Sequence, residues 1–161
     1  MRIQRRSFTL MMFAAFSLTG CGDASDNVDY EQIEQLIKSN QSEWRAAGLI
    51  DYSFTYSVTP GDCPTADALP SVDVYVEDGE VSRVYYTGTD QQTENRLGLT
   101  IDEVFQLQLR ELASLPIQFS ATKSNTQLPT FDISLGYPLR AYIDQSYNDC
   151  DAMAIRVSNF N

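Results

Sequence analysis

Histidine is absent from all 161 residues. That removes the usual base for a serine or cysteine nucleophile, and the hydrolase triads go with it. Zinc is left almost without ligands as well, because there are only three cysteines and no C-x-x-C. No G-x-G-x-x-G or P-loop run occurs, so the common phosphate-cradling loops are excluded. Positive charge is scarce: 11 Lys and Arg stand against 22 Asp and Glu, a net charge of −11. Such a surface repels nucleic-acid backbones and anionic head groups and draws cations or basic partners, so no nucleic-acid partner is expected. The plainer account of the acidity is solubility.

What is present begins with a leader. Arg2, Arg5 and Arg6 precede an apolar run from Phe8 to Leu18 with no acid among them. A charged start and a run too short for a comfortable membrane span describe an export signal. Leu18-Thr19-Gly20-Cys21 resembles the lipobox of bacterial lipoproteins, which implies a signal peptide over 1–20 and lipid on Cys21. Cleavage elsewhere would leave Cys21 an unpaired thiol. Two or three acyl chains make such an anchor effectively permanent. Arg5-Arg6-Ser7-Phe8 also resembles a twin-arginine core, beside the plainer reading of a basic n-region. Gly22, rather than Asp, after Cys21 implies release to the outer membrane. With the leader's three arginines removed, eight Lys and Arg face 22 acids, a net −14.

If Cys21 carries lipid, Cys63 and Cys150 are the only pair left, and an exported compartment lets them oxidise. They lie 87 positions apart, for which loop-closure entropy gives roughly 4–5 kcal/mol as an upper figure. The competing reading is two free or metal-binding thiols.

Residues 21–28 are polar and aperiodic, a short tether, and the domain proper spans 29–161. Tyr30, Ile33, Leu36, Ile37, Trp44 and Ala47 fall at helical spacing between a capping Asp29 and a stopping Gly48. Trp44 is expected in the core. Leu49 to Val58 alternates as a strand with one wet face, and Ser71 to Tyr86 reads as a β-hairpin. An odd loop, Glu77-Asp78-Gly79, would put Val72, Val74 and Val76 on one face with Val84 and Tyr86, and would set Asp73 opposite Arg83. Gly88 to Gly98 is polar and expected to be an exposed connection. Thr100-Ile101-Asp102-Glu103 has the form of a capping box, opening a helix with Ile101, Val104, Phe105, Leu109 and Leu112 inward and Pro116 beyond its end. Ala121 to Gln127 is a loop, and strands are expected at 131–134, 139–144 and 152–160. The order α-β-β-β-α-β-β-β makes a single α+β domain with antiparallel strands.

With these elements placed, an ordered set of motifs resembles one bacterial group, the domain-of-unknown-function family 6174. The matching residues include Trp44 with Ala47-Gly48, Asp51-Tyr52-Ser53-Phe54-Thr55-Tyr56, Cys63-Pro64, Asp78-Gly79-Glu80-Val81, Thr100-Ile101-Asp102-Glu103-Val104-Phe105, Leu135-Gly136-Tyr137-Pro138 and Val157-Ser158-Asn159-Phe160. The resemblance covers about residues 42–161 and implies a short exported protein or lipoprotein, with no activity attached. This chain departs from the group's pattern in two places. It has Gly61-Asp62-Cys63 where members carry two cysteines one residue apart, and Cys150 where they carry acids, which fits a relocated disulfide.

Three functional classes are compatible with these residues. An enzyme would have to work through paired carboxylates, and Asp144, Asp149 and Asp151 cluster in sequence. The same three are candidate calcium ligands, although Asp144–Asp151 lacks the spacing and glycine of an EF-hand loop, and the competing account is a solvated turn. A binding module would draw on the many tyrosines, with Tyr75, Tyr85 and Tyr137 the positions to test against a core role for the rest. A structural lipoprotein would act through an envelope protein partner. The expectation is a membrane-anchored, non-catalytic binding or assembly module in the bacterial cell envelope, facing the periplasm, without cofactor.

Overall fold

The computed structural model describes residues 28–66, 69–124 and 126–161. The expected signal peptide, Cys21 and nearly all of the tether lie outside the described residues.

Helix α1 (Tyr30–Ala47) has the expected bounds. Asp29 Oδ1 accepts from Gln32 N at 2.9 Å, and Gly48 closes the helix at φ 64°, a backbone that favours glycine. Ile33, Ile37, Gln41 and Trp44 form its buried stripe. Helix α2 (Ile101–Ala113) opens on a complete capping box: Glu103 N donates to Thr100 Oγ1, and Thr100 N donates to Glu103 Oε2 at 2.7 Å. Asp102, in its first turn, accepts from Trp44 Nε1 and Arg45 Nε, which fixes the end of α1 against the start of α2.

Strands β1 (Tyr52–Pro60), β2 (Val72–Glu77) and β3 (Glu80–Tyr86) precede α2, and β4 (Gln118–Ser120), β5 (Thr130–Phe131), β6 (Pro138–Asp144) and β7 (Ala152–Ser158) follow it. They make one seven-stranded antiparallel sheet in the order β3-β2-β1-β7-β6-β4, with β5 on the same edge of β6 as β4. The α+β class and its element order are as expected, with the short β4 added. Pairing of the first strand with the last, Tyr56 against Val157, joins the two halves at the centre.

The alternation read from the sequence becomes the division between two faces. Tyr52, Phe54, Tyr56, Val72, Val74, Val76, Val84, Ile143, Ile155 and Val157 pack with both helices into one core. Burying these apolar side chains, at about 1.5–3 kcal/mol each, is the main driving force of the fold. Trp44 sits in it edge-on to Tyr52 and Phe160, as its core assignment required. Gln108 is also wholly buried, an inward position that the apolar pattern did not mark.

The hairpin needs a correction. Its loop has two residues, Asp78 and Gly79, both left-handed at φ 53° and 79°, the tight turn whose twist suits paired strands. The extra residue is instead a bulge at Ser82, whose hydroxyl donates to Tyr75 O. The bulge restores the parity, so the valines share a face with Val84 and Tyr86 as expected. The pairing is nevertheless displaced: Asp73 faces Tyr85, and Arg83 faces Tyr75. The connection from Gly88 to Gly98 is mostly exposed, as expected, and is tied back to the hairpin. Thr93 N donates to Val84 O, Gln92 bridges to Tyr85, and residues Asn95–Leu97 form a 3-10 turn.

Candidate functional site

Both helices cover one face of the sheet, so the other is left to polar and charged side chains. Three groups stand out on it, at different strands.

At the β2–β3 edge, Tyr75 and Tyr85 meet edge to face with ring centroids 5.8 Å apart. The Arg83 guanidinium lies 5.4 Å from the Tyr75 centroid and pairs with Glu77 at 2.6 Å. Tyr75 is 38% exposed, and Tyr85 is half-buried. Beside them Asp73 accepts from Thr55 Oγ1 and Thr87 Oγ1, and Asn159 Nδ2 donates to Thr55 Oγ1. This hydroxyl-rich shelf borders a shallow pocket of about 240 Å³. Tyr137 does not join this group. Its ring stacks on Phe160 at 4.5 Å, and burial together with the neighbouring Asp132 pushes its phenol pKa up.

The second group is an acid corner where β1, β6 and β7 end. Asp62, Asp144 and Asp151 bring carboxylate oxygens within 4.8 Å of one another. Sequence reasoning found Asp144 and Asp151, missed Asp62, and added Asp149, which is exposed and outside the group. Sheet pairing and a covalent link together hold them there: Asp144 stands opposite Ala152, next to Asp151, and Gly61 N donates to Ala152 O. Cys63 and Cys150 are disulfide-bonded, with their Cα atoms 4.3 Å apart, and Asp62 immediately precedes Cys63. Asp62 reinforces the junction by accepting from Cys150 N at 3.1 Å and Ala152 N at 3.0 Å. Asp151 accepts from the Ser146 hydroxyl. Asp144 Oδ1 and Asp151 Oδ1 are buried and receive no donor from the protein. Desolvation, then the charges of Asp62 and Asp151, hold the Asp144 carboxyl above its ordinary 3.8. The same corner raises Tyr142 to about 12, through burial first and Asp144 next.

Gly61 is what allows Tyr142 to lie under this corner, since a Cβ there would come within 2.4 Å of its ring. Tyr142 in turn floors the third group, a groove of about 450 Å³ that crosses β1, β7 and β6 and is lined by Arg140, Arg156 and Lys123. A further cleft, about 590 Å³, lies between the start of α1 and β4, away from the predicted tyrosines and acids.

The architecture defines a two-layer α+β domain: a pair of helices on one side of an antiparallel sheet whose other side carries the polar groups. A family of unknown function, DUF6174, matches residues 36–161, and the chain belongs to that family. No curated protein and no solved structure matches it. Among the described residues, no helix is long and apolar enough to cross a membrane.

Proposed function

We propose that this chain is an exported lipoprotein, anchored through lipid on Cys21 at the outer membrane and facing the periplasm, whose domain is a non-catalytic binding or assembly module. The observation that carries the binding role is the Tyr75–Tyr85 pair, half open to solvent on the helix-free face. Tyrosine supplies contact area at low conformational cost together with a hydroxyl for wet recognition, and a cation on its ring adds a handle for polar partners. A permanent tether confines such a surface near the membrane, where an envelope protein is the fitting partner. The native lipidated protein, used to capture partners from envelope extracts, should retain one that is lost when Tyr75 and Tyr85 are both replaced by alanine. Equal retention by the doubly substituted protein would overturn the assignment.

The convergence of Asp62, Asp144 and Asp151 favours a second reading, a calcium-binding protein or an enzyme working through carboxylates. Oxygen ligands suit calcium, and a carboxyl whose pKa is raised by burial and neighbouring acids suits a general acid. A rise in melting temperature with millimolar calcium, abolished by Asp62→Asn, supports it, and no rise counts against its calcium form.

A further inference from the structure

We propose that the groove over β1, β6 and β7 is an anion site for a phosphate group, free or as a monoester. The inference starts from how this acid-rich chain uses its few cations. Eight Lys and Arg lie beyond the leader. Five of them pair with carboxylates: Lys38 with Glu34, Arg45 with Asp102, Arg83 with Glu77, Arg96 with Glu94, and Arg110 with Glu111. The three without a carboxylate partner among the described residues are Lys123, Arg140 and Arg156. All three line the one groove, and no acid lines it with them.

The register makes this concentration direct. Arg140 on β6 stands opposite Arg156 on β7, and Ser57 on β1 flanks Arg156 from the other side. Like charges directly opposite across strands repel. With 22 acids in the chain, five other cations have found a carboxylate, yet the groove this pair shares holds no acid, and its polar lining is Ser57, Thr59, Thr122 and the phenol of Tyr142 beside Lys123. Lys123 closes the third side, its ammonium 3.5 Å from Gly61 O. Two guanidinium forks and an ammonium around hydroxyl donors match a doubly charged tetrahedral oxyanion, with the forks supplying paired N–H donors and the lysine a point charge. The negative field of the rest of the molecule disfavours extended polyanions, which leaves a small or terminal phosphate as the species that fits.

Titration of the full chain with inorganic phosphate, and separately with glycerol phosphate, tests this when backbone amide signals are followed at an ionic strength fixed with sodium chloride. Saturable shifts are expected at Ser57, Thr59, Arg140 and Arg156. Saturation by inorganic phosphate alone assigns the free ion, and saturation by glycerol phosphate as well assigns a monoester. The double variant Arg140→Gln, Arg156→Gln should bind at least tenfold more weakly, Arg156→Lys several-fold more weakly, and Lys38→Gln, on the exposed side of α1 far from the groove, as the parent does. The lysine variant keeps the charge and loses the fork, so it remains informative if the double variant fails to fold. Protein-wide shifts that never saturate, undiminished binding by the double variant, or saturation by citrate but by neither phosphate would each overturn the proposal. None of these residues belongs to the tyrosine pair, so failure here leaves the partner-binding assignment standing, and the reverse holds too.

Discussion

The two faces of this sheet are made from the same seven strands, yet they are assembled by different rules. On the covered face every neighbour resembles the last: Val74 lies between Phe54 and Val84, and Tyr56 beside Val157. On the open face the chemistry changes from one strand pair to the next, with tyrosines at one edge, arginines on β6 and β7, and carboxylates at a corner. A covered face needs only the right period within each strand, because any apolar neighbour satisfies another. The groups on the open face depend on which strands lie side by side, and that is decided by contacts between residues far apart in the chain.

Experiments that separate the faces can be ordered by the size of the effect. Replacing Cys63 and Cys150 by serine removes a link across 87 positions and should cost up to about 4–5 kcal/mol in denaturant titration, while releasing Asp62 from Asp144 and Asp151. On the covered face, Phe105→Ala should cost about 3–5 kcal/mol, whereas Tyr75→Ala on the open face should cost under about 1 kcal/mol. Comparable losses from the two would erase the distinction.

Finer contrasts lie within the open face. The Asp144 carboxyl is held above 3.8 in the folded chain, so its charge opposes folding at neutral pH, and the penalty is relieved as pH falls from the folded value toward 3.8. Asp144→Asn should therefore raise the melting temperature at pH 7, with the gain shrinking as pH falls toward 3.8 and the parent takes up the proton. A gain independent of pH would show that charge is not its cause. The smallest effect is expected in the groove. Arg140→Gln, by removing repulsion from Arg156, should stabilise the anion-free protein by about 0.2–1 kcal/mol, and the gain should fade at high salt.

How much of this could be read in advance follows the same division. The bounds of α1, both helix caps and the valine face of the hairpin are local consequences of spacing and capping chemistry, and all were legible. The hairpin pairing was not, because a two-residue turn with a bulge at Ser82 gives the same faces as an odd loop, and alternation records only faces. Gln108 was missed because a buried amide carries no apolar signal. Asp62 was within reach: once Cys63 is bonded to Cys150, the residue before the first cysteine must lie near the acids flanking the second. The arginine groove was out of reach. Arg140 and Arg156 sit on separate strands whose register no local pattern fixes, and Lys123 comes from the loop after β4. Tyr75 and Tyr85 were found together because one hairpin holds both, while Tyr137 belongs to the aromatic cluster around Trp44.

The claim that the open face meets partners while the covered face builds the fold is tested most directly by photo-crosslinking in living cells, with a photoreactive side chain placed at Tyr75 or at the exposed Gln35 on the outer surface of α1. The account predicts one discrete adduct from position 75 and none from position 35. Adducts of equal yield from both positions, or from position 35 alone, would contradict it.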